Sequence, residues 1–486
     1  MAVTRTARKP RKTTASIEPP KAFWMPAIAL YALFSVLIVL SARGDLWLDE
    51  IWSIDFARSA DSVRDLFVRF RHDNNHPLNT IYQYLVRQQS AFLVDRLFSI
   101  ISGIGTLIVC GEWARRVWGR RESVLSILLM GASFPLLLYF SEARGYAPAI
   151  FFSALAFASL ERNLSSFRVG RLCLFLMASA LGVLSQSTFV IATIALCIMH
   201  AVIVFKAQDQ PASRRLTHVL IHQVPALLFP AIWYVLFVRH MEIGGGPVER
   251  KLNVIGQAAG YLLGFPIAVP GSWLALCAAM LLIYWGTRRL KKDGRPEWIF
   301  FPVMLVLAPA LVLALVRPKY LYFRYFILCF PFFYMLLAYA FGRATVTWSR
   351  SWRWVPWLVV LALVTGQSTR IQALVREGRG HYSAAWARIA KDSASSDVVV
   401  GSDHDFRNRM VLRFYAARSS AGKLLYYSPQ ADWKHRPPQW ILVTEGGEFV
   451  DPPDEIPFTD VGTYRYVASY DAAPVSGWGW FLYRKQ

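Results

Sequence analysis

Two adjacent carboxylates, Asp49 and Glu50, stand between two tryptophans in the segment Gly44-Asp45-Leu46-Trp47-Leu48-Asp49-Glu50-Ile51-Trp52. They follow directly on Phe23 to Leu40, an apolar run long enough to cross a bilayer. Acidic groups at a membrane exit are costly unless they are solvated, paired or used. A carboxylate in such a place can deprotonate a hydroxyl acceptor or hold a metal. Three later segments carry matching chemistry: His72-Asp73-Asn74-Asn75-His76-Pro77, Ser141-Glu142-Ala143-Arg144-Gly145-Tyr146, and Tyr320-Leu321-Tyr322-Phe323-Arg324-Tyr325. Arginine forks suit phosphate groups. Each feature has a plain structural alternative. Asp49 and Glu50 could simply favour a helix dipole at its start. Glu142 and Arg144 could form a local ion pair at the interface, Arg324 could belong to an aromatic belt, and His76 could be an ordinary loop histidine.

The elements that must position these residues are membrane spans. The chain has 486 residues, 55% of them hydrophobic and 17% charged, and a mean hydropathy of +0.34. Those values describe a polytopic membrane protein rather than a large soluble enzyme. Apolar runs recur near 93–113, 123–141, 145–161, 171–187, 189–205, 217–238, 271–287, 297–316, 323–342 and 354–369. With the first run they predict about eleven helices. The net charge of +22 does not indicate a nucleic-acid partner, because the basic residues fall in short clusters between apolar runs. Cys110, Cys173, Cys197, Cys277 and Cys329 all lie within apolar runs and have no CxxC spacing, so they read as small core hydrophobes.

The basic clusters also set sidedness. They are the N-terminal tail, Arg115/Arg116/Arg120/Arg121, Arg162/Arg168/Arg171, Lys206/Arg214/Arg215, Arg288/Arg289/Lys291/Lys292/Arg295 and Arg343/Arg350/Arg353. All fall in alternate loops on one side, which the positive-inside rule makes cytoplasmic. Asp49, Glu50, His76, Glu142, Arg144, His240 and Arg324 then share the opposite side, and this grouping favours a site at the outer membrane surface. A signal peptide is the alternative for the N-terminus, but the run is longer than a typical h-region and lacks a clear small-x-small cleavage site. The expected division is a disordered basic tail over 1–22, a transmembrane unit over 23–369 and a soluble outer unit over 370–486. Within the transmembrane unit, the outer loop 42–92 is expected to carry interfacial helices. Segment 255–270, broken by Gly and Pro, reads as re-entrant or interfacial. In the tail, helices are expected over Ala384–Lys391 and Phe406–Ala417. Strands are expected at Asp397–Val400, Lys423–Tyr427, Gln439–Val443, Tyr464–Ser469 and Gly479–Tyr483, in a partly parallel sheet. The tail has no Gly-rich phosphate loop and no nucleophile elbow.

A greasy helix bundle can hold a polyprenyl tail, arginines its phosphate, and a carboxylate a hydroxyl acceptor. That combination suits group transfer from a lipid-phosphate donor. The segments Trp47-Leu48-Asp49-Glu50-Ile51-Trp52, His76-Pro77-Leu78 with Tyr82, Ser141-Glu142-Ala143-Arg144-Gly145-Tyr146-Ala147 and Arg324-Tyr325 resemble GT-C membrane glycosyltransferases. The resemblance is to the glycosyltransferase family 39-like group, which includes protein O-mannosyltransferases and the lipid A aminoarabinose transferase. It covers roughly 22–345 in order and topology, and an outer α/β domain is common in that family. It implies an all-α polytopic membrane protein of GT-C architecture with a small C-terminal α/β domain. It also implies inverting transfer of a sugar from a polyprenyl-phosphate donor to a lipid, glycan or protein acceptor at the plasma (inner) membrane. By the same resemblance Asp49 is the base or acceptor-positioning carboxylate, Glu50 its neighbour and Glu142 a second acidic group. Arg144 and Arg324, with Tyr146 and Tyr325, hold the donor phosphate. Some relatives bind a divalent metal through an acidic residue before Pro; here His76 occupies that place with His240 as a companion, so metal dependence stays open. A polytopic transporter or lipid flippase without covalent transfer is the alternative. It lacks support from an internal repeat or from mid-span charges.

Overall fold

The computed structural model describes residues 24–89, 91–207, 211–246, 248–268, 270–445, 451–458 and 461–486; the basic tail expected over 1–22 lies outside them. The first part of the chain is helical: α1 (Trp24–Ser41), α2 (Leu48–Ser59), α3 (Asp65–Val68), α4 (Pro77–Val86), α5 (Phe92–Val117), α6 (Arg120–Gly131), α7 (Phe134–Phe140), α8 (Tyr146–Ser165), α9 (Val169–Ser185), α10 (Val190–Lys206) and α11 (Ala212–Leu236). It continues as α12 (Lys251–Leu263), α13 (Gly271–Lys292), α14 (Phe300–Pro302), α15 (Ala308–Val316), α16 (Phe330–Thr347) and α17 (Val355–Glu377), followed in the tail by α18 (Tyr382–Asp392) and α19 (Asp405–Ala416).

This is a multi-pass membrane protein. All eleven apolar runs are helical. Among the described residues six helices are long and apolar enough to cross a membrane alone, and a seventh arises if α6 and α7 count as one span bent by 71°. Runs such as α1 and α9 fall short of that test by length. The bend has a local cause. The chain leaves helical geometry at Ala132-Ser133, and the Ser133 hydroxyl caps the new helix by accepting from Leu136 N, with Pro135 in its first turn. Segment 255–270 is more regular than its glycines suggest. Its residues 255–263 form the end of α12, stopped by Gly264 in the left-handed region at φ +72°.

Lipid tails are as apolar as leucine, so close packing has to hold the helices together. Small residues supply it: Gly103 lies against Phe140, Gly131 against Phe34 and Gly286 against Leu336. Helix α16 forms the bundle centre, and Phe157, Phe300 and Phe332 stack around it, Phe157 and Phe300 with centroids 4.4 Å apart.

The tail forms one six-stranded sheet, ordered β2-β1-β3-β6-β5-β4, from β1 (Asp397–Ser402), β2 (Leu424–Tyr427), β3 (Trp440–Thr444), β4 (Glu455–Phe458), β5 (Gly462–Tyr470) and β6 (Trp480–Lys485). Strand β1 pairs in parallel with β2 and β3, and the remaining pairs are antiparallel. Helices α18 and α19 cover one face, and their core is continuous with Leu46, Trp47, Leu48, Ile51 and Ile54 of the first outer loop. The sheet unit is therefore seated on the loop that bears Asp49.

Candidate active site

Asp49 lies in the first turn of α2, and the geometry around it converges from four distant segments. Its Oδ2 accepts from Arg144 Nη1 at 2.7 Å and from Arg324 Nη1 at 3.3 Å. Arg144 sits in the tight turn between α7 and α8. Its second terminal nitrogen donates to Asn74 Oδ1 at 2.7 Å and to His76 Nε2 at 3.2 Å. Arg324 enters from a 3-10 segment, Phe323–Cys329, that leads into α16. Tyr146 lies under the Arg144 guanidinium, 5.0 Å from its ring centroid, and Tyr322 lies under Arg324 at 4.5 Å. Tyr325 stands edge-on to Tyr322. The Arg144 side chain is 3% exposed, while Asp49 and Arg324 are 14% and 22% exposed, so the site opens on the Arg324 side. Among the described residues the buried Nε atoms of Arg144 and Arg324 have no hydrogen-bond partner.

Glu50 points the other way. It is fully enclosed, with Arg96 bidentate on its two oxygens at 2.7 and 2.6 Å and Arg379 Nε at 3.8 Å. It also accepts from the backbone N–H groups of Ala143 and Trp47. Burial alone would raise its carboxyl, but Arg96 and Arg379 outweigh it and hold the group below its ordinary value. Glu50 thereby ties the start of α2 to the Glu142–Arg144 turn.

Glu142 is also fully buried. Its Oε1 accepts from Trp47 Nε1 at 2.6 Å and lies 4.0 Å from Arg144, while its Oε2 has no hydrogen-bond partner among the described residues. Burial pushes its carboxyl up to about 7 against the pull of Arg144 and Arg379. His76, enclosed before Pro77 at the head of α4, is held neutral, first by burial and then by the neighbouring Arg144 charge. A guanidinium can only donate, so the His76 Nε2 lone pair faces Arg144.

His76 and His240 do not fit a shared metal. The His76 lone pair is engaged by a cation, and His240 is exposed and accepts from Arg239 at 2.9 Å. Among the described residues, the one His/Cys/Asp/Glu group of three with ligand atoms in mutual reach is His200, His218 and His222.

Arg96, Arg379 and Asn74 were not among the residues singled out from sequence. Arg96 carries the signal of an ionisable group inside an apolar run. Arg379 carries a weaker one. It lies between Gly378 at φ +59° and Gly380 at φ +130°, and donates to Leu138 O at 2.8 Å, Ser141 Oγ at 3.1 Å and Ser41 O at 3.3 Å. Left-handed glycines on both sides allow the backbone to turn this arginine inward.

No family model matches the sequence, and no curated protein matches it. Its fold has solved counterparts. ArnT from Cupriavidus metallidurans bound to undecaprenyl phosphate aligns over 96% of this chain and 98% of its own, at TM-score 0.53 and 13% identity. The apo state of the same protein aligns over 95% and 98%, at 0.54 and 12%. The archaeal oligosaccharyltransferase AglB from Archaeoglobus fulgidus, in complex with an inhibitory peptide and a dolichol-phosphate, aligns over 87% of this chain and 70% of its own, at 0.46 and 12%. The likeness to ArnT is one of fold: helix bundle and α/β tail together follow the GT-C architecture over nearly the whole chain.

Proposed function

We propose that this chain is a membrane glycosyltransferase that moves a sugar from a polyprenyl-phosphate donor to a hydroxyl acceptor on the face opposite its basic loops, with inversion at the anomeric carbon. The observation that carries the reading is the Asp49 carboxylate held between Arg144 and Arg324. The ion-paired set comprises Arg96, Arg144, Arg324 and Arg379 against Asp49, Glu50 and Glu142. With Asp73, whose carboxylate also interacts with Arg144, the four arginines are balanced when Glu142 is ionised and hold one surplus positive charge when Glu142 is protonated. Buried charge in excess calls for a counter-ion. A phosphodiester donor brings one negative charge, and the phosphate monoester it releases carries up to two.

In the reaction the acceptor oxygen bonds to the anomeric carbon while the bond from that carbon to the phosphate oxygen breaks. The bonding pair leaves with the phosphate, where Arg144 and Arg324 stabilise the growing charge. The acceptor proton passes to the Asp49 carboxylate. Glu50 is a positioning residue, because its oxygens are taken by Arg96, Ala143 N and Trp47 N. Undecaprenyl phosphate in the ArnT structure is the relevant precedent for a lipid-phosphate ligand in this fold. The charge of its loops supports an N-terminus in the cytoplasm and an α/β tail on the opposite side, and the resemblance to GT-C transferases implies the plasma (inner) membrane. The acceptor is a lipid, glycan or protein.

Full-length protein in proteoliposomes, given a radiolabelled polyprenyl-phosphate sugar and membrane extract as acceptor source, should form a labelled product and release polyprenyl phosphate. Movement of the donor across the bilayer without any new covalent product would replace this reading with transport.

A further inference from the structure

The turn between α8 and α9 lies on the side of the basic loops and has no part in the proposed transfer. It carries Arg162 in the last turn of α8, Arg168 at the cap of α9 and Arg171 in the first turn of α9. Tyr146 and Arg162 stand near opposite ends of α8, about 24 Å apart along its axis, so this turn is separate from the donor phosphate site.

Hydrogen bonds hold the turn in shape. Arg171 Nη1 donates to the Arg162 carbonyl at 3.0 Å and to the Ser166 carbonyl at 2.7 Å. The Asn163 side-chain oxygen accepts from Arg168 N at 2.7 Å. Three guanidinium groups are thereby gathered in one small region. The charges of Arg168, Arg162 and Arg116 all act on Arg171. Arg168 and Arg171 also stand at the positive end of α9, where a cation is unfavourable.

Neighbouring basic loops balance their charge internally. Arg115 and Arg116 pair with Glu112, and Arg289 and Arg343 pair with Asp293. Among the described residues no carboxylate lies within ion-pair distance of Arg162, Arg168 or Arg171. Glu161, adjacent in sequence, accepts instead from the Trp113 indole at 3.1 Å. Water and salt screen part of the repulsion among the three arginines. An anion shared by them removes the rest.

Apolar residues continue from the arginines. Phe167 and Val169 are 48% and 64% exposed. Cys173 and Met177 follow Val169 at steps of four along α9, and both are exposed. Phe167 stands edge-on to His218 and His222 of α11, which keeps its ring beside the turn. A cationic group with an apolar stripe leading away from it along a helix fits a lipid headgroup and its chain.

We propose that Arg162, Arg168 and Arg171 bind the headgroup phosphate of an anionic phospholipid in the leaflet on the basic-loop side, with an acyl chain against Val169, Cys173 and Met177. Guanidinium forks match phosphate oxygens in geometry and charge. A soluble anion would use the arginines and leave the stripe uncovered, whereas a phospholipid uses both.

The test titrates full-length protein in detergent with phosphatidylglycerol, with phosphatidylcholine of the same chains and with inorganic phosphate. Bound lipid is counted by native mass spectrometry. Phosphatidylglycerol should be retained in preference to phosphatidylcholine. Arg162→Gln with Arg168→Gln removes two exposed cations and leaves the Arg171 bonds in place. This variant should elute as a single folded species and bind phosphatidylglycerol about 30-fold more weakly. Arg288→Gln with Arg350→Gln, on other basic loops, should bind it as the wild type does. Phosphatidylglycerol with a photoreactive acyl chain should label α9 in the wild-type protein, a readout that needs no variant. Equal retention of the two lipids, or unchanged binding by the Arg162/Arg168 variant, would overturn the proposal. Tight binding of inorganic phosphate with no labelling of α9 would overturn it too, in favour of a soluble anion. None of these readouts involves transfer, so the lipid site can fail while the proposed function stands.

Discussion

At the scale of single residues, the contrast between neighbouring carboxylates decides their parts. Asp49 is open to the Arg324 side and shared by two arginines, whereas Glu50 has every oxygen engaged. Asp49→Asn keeps the shape and should lower transfer by about 10²–10⁴-fold, the usual worth of a positioned base, with expression unchanged. Near-normal transfer by that variant would remove Asp49 from the role. Arg324→Ala deletes a charge-assisted partner worth about 1.5–3 kcal/mol. Donor affinity, followed by quenching of tryptophan fluorescence, should fall about 10–100-fold. Glu142 gives a pH signature. The folded chain keeps its proton up to about pH 7, whereas the unfolded chain loses it near 4.5. The native state therefore binds the extra proton between those values, and its stability falls as pH rises through that window. Glu142→Gln still accepts from Trp47 and should flatten the fall in melting temperature between about pH 5 and pH 8. A wild-type slope left intact in the variant would assign it to another group. Asp49, Arg144 and Arg324 were legible in the sequence because charges at the ends of apolar runs on one side are conspicuous. Arg96 was hidden by the opposite circumstance, as half of the Asp95-Arg96 pair at the start of a run read only for its hydropathy.

At the scale of elements, the turn between α7 and α8 is the tightest constraint. Gly145 has ordinary φ, but a Cβ there would collide with the Ser185 carbonyl and crowd His76. Gly145→Ala should thus push Arg144 away from Asp49 and cost about 1–3 kcal/mol through overpacking. The expected readouts are a lower melting temperature and a larger loss of transfer than that stability change explains; unchanged values for both would mean that the turn relaxes freely. Most elements were readable from hydropathy alone, since a run without charges leaves the chain little but a helix. Strand β4 was missed for a physical reason. It is four residues long, contains Pro457 and sits at the sheet edge, where a missing N–H is tolerated and the apolar pattern is weak. The 71° break in 123–141 was likewise invisible, because Phe, Pro and Leu continue the apolar signal across it.

At the scale of the whole molecule, the α/β tail is bound into the site rather than hung from it. Tyr415 of α19 both accepts from Leu46 N and donates to Leu46 O, and Asp45 accepts from Ser383 N. Trp478 packs on Trp47, whose indole N–H holds Glu142, and Phe406 packs on Trp52. Arg379 completes the charge set around Glu50. Arg379→Ala should destabilise the protein by about 3–5 kcal/mol, the typical effect of removing one partner from a buried ion network. The measurement is the loss of a monodisperse peak in detergent, partly restored by Arg379→Lys. A stable, fully active alanine variant would show that Arg96 alone suffices. The sequence reading placed a soluble unit outside the membrane, but contacts between residues more than 300 positions apart leave no local pattern by which its docking could be read.

The inward arginine between Gly378 and Gly380 also imposes an order in time. Ser41 and Arg379 are 338 residues apart, so at ~5–20 residues per second the ribosome delivers the second roughly 20–70 s after the first. Through that interval the nascent bundle already holds Asp49, Arg144 and then Arg324, but Glu50 lacks one of its two guanidinium partners. A chain interrupted before Arg379 emerges lacks one of the two guanidinium partners of Glu50, so this buried charge set closes only after the helix bundle has been synthesised.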